Sequence, residues 1–191
     1  MKIIALHSNE KQLIKKSIKG DQKAQKFLYD RFSPKMLGVC RQYIKDLHFA
    51  EDVMVSGFVK VFNHLSSYEF KGSFEGWVRK IMIRESISYL RKRQFVVYDD
   101  AVVEVNGQVS NTNEGLLDAE YVQQLIDELP EGYKTVFLLY AIEGYGHREI
   151  AELLEISEGT SKSQLFKAKK MLQENLRLNG MSPKSKSAIK K

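Results

Sequence analysis

The chain has 191 residues, one cysteine, 43% hydrophobic residues and a formal net charge of +6. That length supports one or two domains with cores of their own, and the lone Cys40 excludes both a disulfide framework and a cysteine-based zinc finger. The basic balance, with a pI near 9.2, favours a polyanionic partner, nucleic acid ahead of an anionic membrane surface.

The apolar stretch from Ile3 to Leu6 is shorter than a signal-peptide core, and no run approaches the roughly 20 residues of a membrane span. A reducing, cytoplasmic setting without membrane insertion is therefore expected. From about Lys11 to Leu65 apolar residues recur at helical spacing: Leu13, Ile14 and Ile18; Phe27, Leu28 and Phe32; Met36, Val39, Cys40, Tyr43 and Ile44; Val53, Phe58, Val61, Phe62 and Leu65. Three helices are predicted. Gly20-Asp21 separates the first pair, and Ser33-Pro34 reads as the start of the next, with Ser33 as cap and Pro34 in the first turn. Asp46-Leu47-His48 reads as a turn. Ala50-Glu51-Asp52 then reads as the opening of a helix with carboxylates in its first turn, where the macrodipole favours them.

A short loop from Ser66 to Gly76 carries Tyr68, Phe70, Lys71, Gly72 and Phe74, and a basic helix follows it. Between Lys71 and Arg93 seven bases (Lys71, Arg79, Lys80, Arg84, Arg91, Lys92 and Arg93) stand against two acids, Glu75 and Glu85. Trp77, Ile81, Ile87 and Leu90 can serve a core while Lys80, Arg84 and Arg91 share an outer side. Aromatics beside cations suit single-stranded nucleic acid, where a base gains about 1–3 kcal/mol by stacking and the cations hold the backbone. Taken singly, Phe74 and Trp77 are better read as plain core, and the loop as a whole carries the single-strand reading more than those two residues do.

No Lys or Arg occurs between Arg93 and Lys134. The middle of that stretch, Asp99 to Glu114, is rich in Asn, Gly, Ser, Thr and Gln and lacks helical periodicity, so a flexible acidic linker is expected. Composition alone fits a solvated strap; its charge would also suit a positively lined channel of a partner. Helical spacing resumes with Val122, Leu125 and Ile126 up to Leu129-Pro130, then Tyr133, Val136, Phe137, Leu138, Tyr140 and Ile142.

Gly144 to Lys170 reads as a helix-turn-helix. Ile150, Ala151, Leu153 and Leu154 give the first helix one apolar face, with Gly146 as its N-cap. The run breaks at Glu155-Ile156-Ser157, where Ser157 can cap the next helix and Ile156 can fill the angle between the two. The second helix buries Leu165, Ala168, Met171 and Leu172 and turns Thr160, Lys162, Ser163, Phe166, Lys167 and Lys170 outward. Lysine can donate to guanine or phosphate, serine to either, and an aromatic can meet a thymine methyl, so this face suits a major groove. An ordinary helical hairpin with a solvated basic face would share the pattern.

His7, His48, His64 and His147 fall in no ligand spacing, and adjacent Glu51 and Asp52 diverge on a helix, so no metal is expected. No phosphate loop or nucleophile motif appears, which leaves no cofactor and no enzyme.

Gly20-Asp21-x-x-Ala24, Ala50-Glu51-Asp52, Phe74-x-x-Trp77 with Tyr89-Leu90-Arg91, Leu129-Pro130, and Glu149-Ile150-Ala151 through Glu158-Gly159-Thr160-x-Lys162-Ser163 form an ordered set. In that order they resemble the extracytoplasmic-function (ECF) sigma factors of bacterial RNA polymerase, from about Leu13 to Leu176. The resemblance implies an all-α fold of two small helical domains joined by the acidic linker. Residues 1–95 would be the region-2 domain, 96–118 the linker, 119–178 the region-4 domain with the helix-turn-helix, and 179–191 a basic disordered tail. Glu51 and Asp52 would dock on the clamp of core polymerase. Tyr68, Phe70, Lys71, Phe74, Lys80 and Arg84 would hold the single-stranded minus-ten element, with one base flipped into the loop. Thr160, Lys162, Ser163, Phe166 and Lys167 would read the minus-thirty-five element as duplex. An anti-sigma factor, usual in that family, would be a further partner. Departures from the family pattern at Val55 and Ser56 shift the clamp contact towards Asp52, while those at Arg84 and Ser88 for the minus-ten element and at Glu155, Ser161 and Gln164 for the minus-thirty-five element keep the family's promoter code from transferring. Two other readings stay open: a stand-alone helix-turn-helix regulator, and a helical adaptor that binds protein only.

Overall fold

The structure, a computed structural model, describes residues 2–97 and 119–178, and every element among them is helical. The chain divides into two compact units, Met1–Asp100 and Ala101–Lys191. The expected linker, from residue 98 onward, and the expected tail, 179–191, lie outside the described residues. No described helix is long and apolar enough to cross a membrane.

The first unit contains α1 (Lys2–Ile18), α2 (Gln22–Tyr43), α3 (Leu47–Asn63), a 3-10 turn at Leu65–Ser67 and α4 (Phe74–Val97). Gly20 ends α1 by taking a φ of 84°, which lets the Asp21 amide reach back to the Lys16 carbonyl at 3.2 Å. Asp21 then caps α2, its carboxylate accepting from the amides of Lys23 and Ala24 at 3.0 and 3.1 Å.

Two expected boundaries are wrong. Ser33-Pro34 starts nothing, because α2 runs through Pro34. Proline inside a helix costs about 3 kcal/mol, yet Leu28, Phe32, Met36 and Val39 lie buried in one stripe on either side of it, each gaining about 1.5–3 kcal/mol. The stripe wins. Likewise α3 opens at Leu47, one turn before Ala50, because Asp46 caps it by accepting from the Phe49 amide at 3.1 Å. Glu51 and Asp52 thus sit beyond the first turn, where the macrodipole has faded, and both remain exposed.

α4 packs on α2 and α3, and α2 also packs on α1 and α3. The buried side of α4 carries Phe74, Val78, Met82, Ile83, Ile87 and Leu90, whereas Trp77 and Ile81 are only half-buried. At Gly57 of α3 the two helices leave no room for a side chain, since an added Cβ would overlap the sulfur of Met82. Met82 is fully buried and fills the space a side chain at 57 would need.

Cys40 is also fully buried. Burial pushes its thiol up to about 11; the Glu85 carboxylate adds to the shift and a hydrogen bond with Ser86 opposes it. The unfolded chain loses that proton near the ordinary 9.0, so raising the pH from there towards 11 favours unfolding. Denaturant midpoints of wild type and Cys40→Ala, compared between pH 8 and about 10.5, should show the wild type losing about 2 kcal/mol more. Parallel pH profiles would show that the thiol is not buried as described.

The second unit contains α5 (Ala119–Asp127), α6 (Glu131–Phe137), a π-helical turn at Leu138–Ile142, α7 (His147–Leu154) and α8 (Glu158–Leu178). α8 packs against α5, α6 and α7. The core holds Leu125, Ile126, Leu129, Val136, Leu138, Leu139, Ile150, Leu165 and Ala168. The wide π turn shifts the register, so Leu139 faces inward while Tyr140 and Ile142, which helical spacing had grouped with the core, are exposed. Lys134 is 3% exposed, and its ammonium is paired with Asp127, which Gln123 also contacts at 3.3 Å.

Candidate nucleic-acid interface

The loop from Tyr68 to Ser73 is built around one phenol. Tyr68 is buried, and its hydroxyl donates to the Gly72 carbonyl at 2.9 Å, clasping the loop. Gly72 allows this by taking a φ of 80°. Burial, helped by the Glu10 carboxylate, holds the phenol above its ordinary pKa, so it stays a donor. Three rings surround it, Phe70 at 5.0 Å, Phe74 at 5.3 Å and Trp77 at 5.5 Å. Phe74 reaches onward to Phe32 of α2 at 5.4 Å. Ser73 caps α4 by accepting from the Gly76 amide at 3.0 Å.

The structure therefore divides the six residues expected at the single strand. Tyr68 and Phe74 shape the loop from below, their faces taken by neighbouring rings. Phe70 is half-buried, and Lys71, Lys80 and Arg84 are exposed. Lys71 pairs with Glu69 at 2.7 Å, both side chains in water, a bond weak enough to exchange for a phosphate. Lys80 and Arg84, one turn apart on α4, have no hydrogen bond or ion pair with another described residue. The two acids of the stretch are neutralised from behind: Glu85 by Lys60 of α3 at 2.6 Å, and Glu75 by Lys35 of α2. This leaves the outer face of α4 electropositive.

On α3, exposed Glu51 and Asp52 head a strip that continues with Val55 and Val59, 48% and 54% exposed. Sequence reasoning named Val55 only as a departure beside the clamp contact and missed Val59. The signal was present, since residues 51, 55 and 59 fall between the positions that α3 buries. An acid-headed apolar strip suits a protein partner better than nucleic acid.

In the second unit α7 is capped at Gly146, whose amide donates to the Glu149 carboxylate at 2.8 Å. The turn to α8 is tight. Glu155 adopts the left-handed conformation (φ 56°), and the Ile156 amide bonds back to the Ala151 carbonyl at 3.1 Å. A side chain there is strained, so Glu155→Gly should raise stability by about 1 kcal/mol in thermal or denaturant unfolding. A loss of that size would show that the carboxylate contributes more than the backbone strain costs. Ser157 caps α8, its hydroxyl accepting from the Thr160 amide at 2.9 Å.

Lys162, Ser163, Phe166 and Lys167 project from α8 into solvent, Phe166 being 69% exposed, while Thr160 is half-buried with its hydroxyl on Ser157. The Ser163 hydroxyl donates to the Thr160 carbonyl at 2.9 Å and keeps its acceptor side open. Lys162 is loosely paired with Glu158 at 3.5 Å, and the Lys167 ammonium lies 5.7 Å from the Tyr133 ring centroid. One polar pair went unforeseen: Ser161, fully buried, shares a 2.9 Å hydrogen bond with His147 at the start of α7. The His147 ring stacks on Tyr140 at 4.8 Å. Ser161, Leu165 and Ala168 at helical spacing mark the face of α8 that carries this pin between the two helices.

The first unit thus presents an aromatic loop beside a cationic helix, and the second a helix with alternating donors and one exposed ring. Both can hold a polyanion and contact bases. Among the described residues no three His, Cys, Asp or Glu side chains are placed to hold a metal ion.

Comparison with known proteins matches both units in chain order. Residues 28–96 match the model for sigma-70 region 2, and residues 119–172 that for sigma-70 region 4. The ECF RNA polymerase sigma factor SigW of Bacillus subtilis is 30% identical over 182 residues, covering 87% of this chain and 96% of its own. The RNA polymerase sigma-H factor of Pseudomonas aeruginosa is 25% identical over 180 residues, covering 87% of this chain and 93% of its own. Among solved structures, the sigma factor RpoE of Bartonella quintana, in complex with the anti-sigma factor NepR, superposes with a TM-score of 0.50 at 22% identity. It covers 81% of this chain and 97% of its own, a likeness of fold.

Proposed function

Because the chain belongs to the ECF sigma factors of bacterial RNA polymerase, we propose that its two units divide promoter recognition between them as the two faces described above would allow. The first unit holds the melted minus-ten strand: Phe70 and the loop beneath it receive one unstacked base, while Lys71, Lys80 and Arg84 hold the strand. The second unit reads the minus-thirty-five duplex with Lys162, Ser163, Phe166 and Lys167, and Thr160 fixes the entry of the helix that carries them. Core polymerase docks on α3, with Glu51 and Asp52 meeting cations of the clamp and Val55 and Val59 an apolar surface. The polymerase performs the phosphodiester chemistry; this chain positions and opens the DNA, in the cytoplasm.

The observation that carries this reading is the ordered match to both regions along nearly the whole length of an ECF relative. A stand-alone helix-turn-helix regulator would leave residues 28–96 without a task, and a protein-only adaptor would leave the base-facing side of α8 idle. An anti-sigma factor is a further partner, and the strip on α3, which core polymerase also needs, is the surface it would compete for.

The test is transcription by sigma-free core polymerase on fragmented genomic DNA with the purified chain added. Discrete starts that share two spaced upstream elements support the proposal and supply the promoter code. Duplex binding without any start would return the chain to the class of plain regulators.

A further inference from the structure

Two side chains of α1 reach the loop of the first unit. Glu10 pairs with Arg31 of α2 at 3.2 Å, with 20% of its side chain exposed, and so fixes this turn of α1. One residue on, the Lys11 ammonium lies 5.2 Å from the centroid of the Phe70 ring. Phe70 needs holding: its φ of 58° is left-handed, a conformation that bulky side chains rarely adopt. Tyr68 supports its ring at 5.0 Å and is itself fixed by Gly72. A strained residue persists only where its surroundings over-determine it, and such residues gather at binding sites.

We infer that Lys11 is a positioning residue for the minus-ten strand: its ammonium pins the Phe70 ring in the orientation that receives the unstacked base. The inference rests on reading the loop as the single-strand site. The attraction is that of a cation for the ring's electron-rich face, and it comes from α1, the helix whose Glu10 also acts on Tyr68 of the same loop. Lys11 is exposed, so its replacement leaves the core of the unit intact.

The experiment uses holoenzyme reconstituted with core polymerase. The probe is a forked fragment of a promoter mapped as above, with 2-aminopurine in the minus-ten non-template strand. Lys11→Met should weaken binding about two- to fivefold and lower the fluorescence of the unstacked base, and Lys11→Arg should restore both. The dependence of binding on salt should keep its slope. A slope smaller by about one would make Lys11 a phosphate contact and overturn the inference. In a Phe70→Ala background Lys11→Met should add nothing, since it acts through the ring. An undiminished effect there would also overturn it, with the loop reading left standing. Wild-type affinity in Phe70→Ala alone would sink the loop reading, and the inference with it.

Discussion

Replacing Lys80 and Arg84 together with alanine is expected to abolish promoter opening while leaving the chain bound to core polymerase. Both side chains are exposed and tied to no other described residue, so their removal should change folding stability by less than about 0.5 kcal/mol each. A side chain that bonds a base in two places contributes about 1–3 kcal/mol to binding, so removing two such contacts should weaken it about thirtyfold to about twenty-five-thousandfold. Permanganate reactivity of minus-ten thymines reads the opening, and co-purification with core polymerase reads the docking. Wild-type reactivity in the double variant would take α4 out of strand contact and leave the loop alone to hold the DNA.

In the second unit the largest effect on stability is expected at Asp127. Lys134 is buried while its partner's side chain is 44% exposed, so the two halves of the pair are not equivalent. Asp127→Ala leaves an ammonium in the core without its counter-charge and should cost about 2–3 kcal/mol. Lys134→Met leaves only a carboxylate that water can reach, and an apolar chain of similar shape in its place should be nearly neutral. Denaturant unfolding of the two variants decides the matter. Equal losses would mean that the lysine stem, not the charge, is what the core requires.

What was legible in the sequence follows from the range of each force. Caps are local, so Gly20-Asp21, Gly146 and Ser157 could be read from neighbouring residues, and each stands where it was expected. Ser33-Pro34 has the same local signature and misled, because the buried stripe from Leu28 to Tyr43 outweighs one proline. The basic and aromatic composition of the loop and α4 was visible, and so was a core role for Phe74, but not that Tyr68 lies underneath with it. Tyr68 and Phe74 face inward because α2 and Trp77 cover them, a fact of packing between segments distant in sequence. The pairing of Lys134 with Asp127 lay in the same blind spot, as did the contact of Lys11 with Phe70. Glu155 shows the opposite case: its place after α7 marks a left-handed position although the residue itself does not favour one.

The bare backbone at Gly57, filled by the sulfur of Met82, makes two positions into a single heritable choice. A lineage that gains a methyl at 57 keeps α3 and α4 at this spacing by swinging the flexible end of Met82 aside or by giving up volume there, and one that puts a stiffer or larger chain at 82 favours glycine at 57. Across descendants of this chain the two sites should therefore drift as a pair, and an alignment of them should show small-for-large exchanges occurring together. Chimaeras that take α3 from one member and α4 from another should lose stability, by about 1–3 kcal/mol, wherever that pairing is broken, even when every other buried residue agrees.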